Sequence, residues 1–409
     1  MIKLPKSSTK STLGLIWPIV ATQICVSAAV GLNLTIAALA AVEVTGKESL
    51  GGLAQTSTIL GATFITITAT RISILKDRLF ALRCTIGVAA LGSLVAHFAI
   101  STKGSSGWLL FVGLFLLGGG TVSALISRFT ATEKIGQNQQ AASAVGIVLF
   151  GSAIGSVIGP NIYGLISLNV ESPMEWAFVG SALTFIVGLL ALSFERRQSY
   201  TSGTPRSTAS LESGRLIWKQ SYVFIFATGI IAHASMISLM TMAPIYTDRV
   251  FGPSKSGIVM TAHLLGMYAI GPFVSSSLNR FGLIKTISWG ATAFLISIFL
   301  LVFLHSSFIL FTVGLFGIGV FWSVGMIISS TLASKIDDTD QRMALQGRLD
   351  LTINIAAGVS STLSGILVTM IGYPLLAGLV FAFAFLAFVS VFSLKPPQIE
   401  RADTPLTRT

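Results

Sequence analysis

Runs of about twenty apolar residues follow one another along nearly the whole chain, the length a helix needs to cross the hydrocarbon core of a bilayer. Twelve are read, at 14–40, 50–70, 80–101, 108–130, 141–168, 176–195, 222–246, 256–277, 284–305, 308–333, 345–370 and 374–394. Charged residues are only 10% of the 409, against roughly 25% in soluble domains, so a soluble surface cannot be built around these runs. The first run is longer than a signal-peptide core and is followed at once by others, so it is expected to be a retained helix. The expectation is an all-α integral membrane protein.

The net charge of +11 is explained by orientation rather than by a nucleic-acid partner. With the N-terminus cytoplasmic, twenty-two of the 26 lysines and arginines fall on the cytoplasmic side of the twelve spans. That bias is what the positive-inside rule predicts. A multi-pass protein of the cell (plasma or inner) membrane follows, with both termini cytoplasmic and no nucleic-acid partner. Cys25 and Cys84 sit in apolar runs without CxxC spacing, as buried thiols rather than disulfide or metal ligands.

The fifth run contains Gly151, Gly155, Gly159, Pro160 and Gly164. Glycines four apart share one helix face and let a neighbour approach backbone to backbone, and the proline removes a hydrogen bond just beyond them. This stretch resembles the glycine–proline motif on the fifth transmembrane helix of exporters in the major facilitator superfamily. Other segments are similar to that family. Leu278-Asn279-Arg280-Phe281-Gly282 resembles its Asp-Arg-Phe-Gly connection with asparagine for aspartate, and the stretch from His263 to Gly271-Pro272 resembles bacterial exporters of the type. Arg128, near the end of the fourth run, resembles a further signature of proton-coupled members, although a topology arginine reaching for the interface accounts for it equally. The connection from Arg71 to Arg83 departs from the family pattern: matched on Arg71, the signature aspartate falls on Ile74 and the glycine on Asp77.

Residues 196–221 form the only long polar linker and divide the runs six and six. A shift of 201 residues lays Gly155, Gly159, Pro160 and Gly164 over Ala356, Ser360, Ser361 and Gly365, and one of about 205 aligns the basic connections. The fold class expected is therefore twelve transmembrane helices in two six-helix pseudo-symmetric halves, the major facilitator fold. The halves are 1–195 and 222–394, followed by a cytoplasmic tail at 395–409. Parallel repeats of this kind place a substrate site between the halves near the bilayer midplane.

One carboxylate stands inside an apolar run. Gln346, Asp350 and Asn354 are spaced i, i+4, i+8, with Ser361 continuing along the same face. A membrane carboxylate has a partner or a task. It could carry protons or contact substrate. The resemblance implies a gate, Asp350 pairing with Arg71 or Arg78 when the cytoplasmic side is closed, and a helix-start acid satisfying the dipole is the third reading. His263 is either a substrate or proton contact or a histidine bonded to a neighbouring helix, and Asn33 lines a cavity or bonds between helices.

No phosphate-binding loop, metal-ligand cluster or Ser/His/Asp set is present in the sequence, so no enzyme, cofactor or metal is expected. The resemblance implies a secondary transporter working by alternating access, functional as a monomer, with a small-molecule substrate, protons and the lipid bilayer as its partners. Proton-coupled efflux of an amphipathic compound leads. Nutrient uptake or facilitated diffusion, and a non-transporting sensor, are the alternatives.

Overall fold

The computed structural model describes residues 6–102, 107–135, 140–195, 220–336 and 338–392. The linker expected at 196–221, apart from its last two residues, and the tail at 395–409 lie outside them. The described residues form α1 (Lys6–Thr45), α2 (Gly51–Leu75), α3 (Arg78–Ser101), α4 (Gly107–Ile135), α5 (Gln140–Asn169), α6 (Pro173–Ser193), α7 (Gln220–Phe251), α8 (Pro253–Tyr268), α9 (Gly271–Phe281), α10 (Leu283–Phe303), α11 (Phe308–Ser334) and α12 (Thr339–Phe392). A short 3₁₀ turn at Glu48–Leu50 joins α1 to α2.

Among the described residues eleven stretches are long and apolar enough to cross a membrane, against the twelve expected. The difference lies at the end of the chain. The helices expected at 345–370 and 374–394 follow one another directly within α12, divided by a kink at Gly372, where φ 76° and ψ 168° leave the helical region. A straight helix of 54 residues would extend about 80 Å, more than twice the thickness of a hydrocarbon core. Glycine adopts that φ without a Cβ clash, and Pro374 pre-sets the helical φ for the restart.

The eighth run shows the opposite departure, being split into α8 and α9. Pro272 stands in the first turn of α9. It has no N–H to bond and its ring collides with the carbonyl four residues back, so the helix breaks before it. Pro160 behaves differently and stays inside a continuous α5.

Within α1–α6, α1 packs against α4, α5 and α6; within α7–α12, α7 packs against α11 and α12. The main contacts between the two sets are α5 with α8 and α2 with α12. Large apolar side chains face outward, with Phe64, Phe273, Ile309 and Met370 more than half exposed, as a lipid-facing surface requires. Many buried hydroxyls bond to carbonyls of their own helix, as Thr35 does to Gly31 O at 3.0 Å, which satisfies them where no water reaches. The α1–α2 and α7–α8 connections turn on Gly46 (φ 66°) and Gly252 (φ 92°), and both lie at one end of the bundle, the turn end.

Candidate functional site

The glycine–proline motif makes two contacts rather than one. A Cβ added at Gly155 would lie 2.3 Å from Ile24 O, and one at Gly159 2.0 Å from Ala28 O, so these glycines let α5 meet α1 of the same set backbone to backbone. Gly151 is looser, its nearest neighbours being Ile24 and Val20 side-chain atoms at 3.4 Å. The residues after the run turn onto a different face and reach the other set. A Cβ on Gly257 of α8 would lie 2.4 Å from Pro160 O, and one on Gly164 3.0 Å from Ser254 O. Asn161 Nδ2 donates to Thr261 Oγ1 at 2.8 Å across the same crossing.

The α2–α12 crossing repeats this arrangement with other residues. A Cβ on Gly52 would lie 2.1 Å from Ser361 O, and one on Gly365 2.5 Å from Ser49 O. Ser361 Oγ donates to Gly52 O at 2.7 Å, and Thr56 Oγ1 donates to Gly358 O at 2.9 Å. Ser361 and Gly365 are the positions that the repeat lays over Pro160 and Gly164. Both crossings bring backbone against backbone, and at the turn end Arg249 on α7 pairs with Glu48 at 2.9 Å. The two sets are therefore tightly joined there.

Away from the turn end the sets part around a cavity of about 1040 Å³, lined by residues of α1, α2, α4, α5, α8, α11 and α12 and by Gly271, Pro272 and Ser275 of α9. Its wall carries Gln23 and Ser27 of α1, Thr63 and Thr66 of α2, Ser152 of α5, Tyr268 of α8 and Asn354 of α12, among apolar side chains. Among the described residues of the wall there is no Asp, Glu, Lys, Arg or His. Gln23 lies about 15 Å along α1 from Leu13, near the middle of a bilayer-spanning segment. Both hydrogens of its Nε2 are in use, to Ser27 Oγ at 3.0 Å and Ser152 Oγ at 2.8 Å, while its buried Oε1 has no partner.

Of the residues singled out from sequence, Asn354 alone of the cavity candidates stands on the wall. Gln346 and Asp350 lie two turns and one turn before it on α12. Asp350 is exposed, and among the described residues neither it nor Arg71 makes an ion pair, so the expected pairing of Asp350 with Arg71 or Arg78 is not formed in this conformation. Arg78 opens α3 directly after Asp77, whose carboxylate caps that helix by accepting from Phe80 N at 2.6 Å. Arg128 is part of α4, and its side chain lies outside the described residues.

Asn33 and His263 are placed elsewhere than in the cavity. Asn33 Nδ2 donates to Ser181 Oγ at 2.8 Å, which ties α1 to α6. His263 is fully buried and donates from Nδ1 to Leu315 O at 2.8 Å, where α8 packs on α11. Each is bonded to a neighbouring helix, the second of the two readings given for it, and each keeps one buried atom without a partner, Asn33 Oδ1 and His263 Nε2. The sequence reading missed Gln23, Ser27, Ser152 and Tyr268. The i, i+4 pair Gln23 and Ser27 inside the first apolar run carries the same signal as the polar stripe on α12. Among the described residues no group of three or more His, Cys, Asp or Glu is arranged to hold a metal ion.

The model of the Major Facilitator Superfamily matches residues 19–257 and 248–406. A protein of Bacillus subtilis (strain 168) described as the uncharacterized MFS-type transporter YddS is 25% identical over 380 residues, 87% of this chain and 85% of that one. The riboflavin transporter RfnT of Brucella anthropi is 25% identical over 281 residues, 66% of this chain and 68% of its own length. In structure the chain is similar to a mutant of the nucleoside transporter NupG, with a TM-score of 0.74 at 12% identity over 93% of this chain and all of that one.

Proposed function

The chain belongs to the Major Facilitator Superfamily, whose members are membrane transporters and not enzymes, and from that premise we propose that it is a secondary transporter that exports a small amphipathic compound in exchange for protons. The observation that carries this reading is the cavity of about 1040 Å³ between two sets of helices whose closest described crossings lie toward the turn end. Such an arrangement is one stage of alternating access, in which two repeats rock about a fixed central site. With the termini cytoplasmic, as the distribution of lysine and arginine favours, the turn end is external and the cavity opens inward.

In the next stage the open end closes and the turn end parts. Asp350, without an ion pair here, then meets Arg71 or Arg78, and proton exchange at Asp350 couples the change to the gradient. Helix α5 serves both bodies, fixed to α1 by its glycines and crossing α8 at Pro160.

The test is transport in proteoliposomes under an imposed pH gradient, beginning with riboflavin and nucleosides because of the names that two similar proteins bear. Gradient-driven movement against the concentration difference is expected, abolished by a protonophore and reduced at least tenfold by Asp350→Asn. Counterflow that ignores both would overturn the coupling. It would favour uptake or facilitated diffusion, a second reading supported by the absence of Asp, Glu, Lys, Arg and His among the described residues of the wall.

A further inference from the structure

Several polar side chains of the cavity wall spend a donor hydrogen on a backbone carbonyl of their own helix. Thr63 and Thr66 donate to Ile59 O and Ala62 O, Ser152 donates to Val148 O, and Asn354 Nδ2 donates to Asp350 O. Each of these side chains therefore offers the cavity mainly oxygen lone pairs. Gln23 is the extreme case. Because the Ser152 proton is committed to Val148 O, its oxygen can only accept, which fixes Nε2 of Gln23 toward it and leaves Oε1 as the free end. That oxygen is buried, unbonded and set in a residue that borders the cavity. A buried acceptor without a donor is unfavourable until one arrives.

The remaining walls restrict the shape and charge of what arrives. Phe150 and Tyr268 present exposed rings to the cavity from α5 and α8, and the edge of Tyr268 is braced against Trp322 at an interplanar angle of 78°. Aromatic faces stack best on flat rings. A cation would meet acceptors but no countercharge among the described residues of the wall, an arrangement that penalises an ion out of water. Ser27, which accepts from Gln23, stands one turn along α1 and can return a proton.

Resting on the reading of this cavity as the substrate site, we propose that it selects an uncharged, planar heterocycle carrying an N–H beside a carbonyl, the edge of a lactam or imide, with the N–H bonded to Gln23 Oε1 and the carbonyl to Ser27. Gln23, Ser27 and Ser152 are then specificity-determining residues.

The experiment is calorimetric titration of the purified full-length chain with lumazine, uridine, their 3-methyl derivatives and tetraphenylphosphonium, alongside proteoliposome uptake of the same compounds. The N–H forms are expected to bind, and methylation at that nitrogen is expected to weaken binding at least tenfold, since a site built around a hydrogen bond rejects the analogue lacking it. Gln23→Leu should bring the parent compounds down to the level of the methylated ones. Ser152→Ala frees the amide to turn over and should narrow the discrimination while leaving the ring contacts intact, which keeps the test sharp if Gln23→Leu folds poorly. Equal binding of methylated and parent compounds, tighter binding of tetraphenylphosphonium, or no binding by any lactam or imide would each overturn the proposal. Selective binding without uptake would retire the transporter reading and leave the site standing; uptake of the cation without imide binding would do the reverse.

Discussion

The two crossings that join the helix sets solve one packing problem with different residues and unequal strength. At α2–α12 the approach is mutual: added Cβ atoms on Gly52 and Gly365 would lie 2.1 Å and 2.5 Å from the facing carbonyls. Three hydrogen bonds within 2.9 Å cross that contact, from Ser361 to Gly52, from Thr56 to Gly358, and between Thr56 and Thr362. At α5–α8 Gly257 is close, at 2.4 Å, but Gly164 has 3.0 Å, and one good bond from Asn161 to Thr261 is joined by a long one of 3.4 Å from Thr261 to Val157 O. Repeat-related positions thus build a tight latch on one side and a looser bearing on the other. The glycine–proline motif belongs to the looser one, its glycines being engaged with α1 instead.

The largest effects should separate the seam inside a set from the crossings between sets. Gly159→Val places branched carbons where even a single Cβ would lie 2.0 Å from Ala28 O and 2.9 Å from Leu32 N, both backbone atoms that cannot yield. Loss of nearly all monodisperse protein on size exclusion is expected. Gly151→Ala, whose nearest neighbours are side-chain atoms at 3.4 Å, should remain near wild type. Equal yields of the two variants would mean that α1 and α5 part easily and that the division into two rigid sets is wrong.

At the crossings the same kind of change should shift conformation rather than unfold the chain. Gly52→Ala and Gly257→Ala both push the sets apart at the turn end, the first more because its space is smaller and its partner is also backbone. Spin labels replacing Lys47 and Lys255 would read this as a population of longer distances, larger in Gly52→Ala, with transport lowered about tenfold. A larger shift in Gly257→Ala would invert the ranking of latch and bearing. Thr56→Val should act in the same direction and more weakly. It removes two bonds of about 0.6 kcal/mol each, the average for interhelical bonds in membranes, hence about sevenfold in the distribution of states. Asn161→Leu should have about half that effect in free energy.

Much of this was legible in the chain because its causes are local. Apolar run length, glycine spacing and the position of Pro160 act within one or two helical turns, and so the spans and the motif could be read directly. Even the boundary between the last two runs carries its marker, in Gly372 shortly before Pro374. What escaped was decided by partners far away in sequence. Asn33 finds Ser181 148 residues on, and His263 finds Leu315 52 residues on, which removes both from the cavity, while Gln23 is recruited to it through Ser152. No periodicity within α1 distinguishes Gln23 from Asn33: each is one amide in an apolar helix whose nitrogen is bonded and whose buried oxygen is not, and only the facing helix decides which of them borders the cavity.

The smallest effect should come from the most conspicuous contact at the turn end. Arg249 and Glu48 form an ion pair that joins the sets there, yet the arginine side chain is 66% exposed. Exposed pairs of this kind contribute about 0.2–1 kcal/mol, and salt screens them. Glu48→Gln is therefore expected to move the spin-label distribution by at most about fivefold at low ionic strength and hardly at all in about 0.5 M salt. The glycine variants should respond equally at both, because backbone contact is not screened. A salt-independent effect as large as that of Gly52→Ala would mean that charge holds the turn end, and that the tight backbone approach at α2–α12 is a consequence of the closure and not its cause.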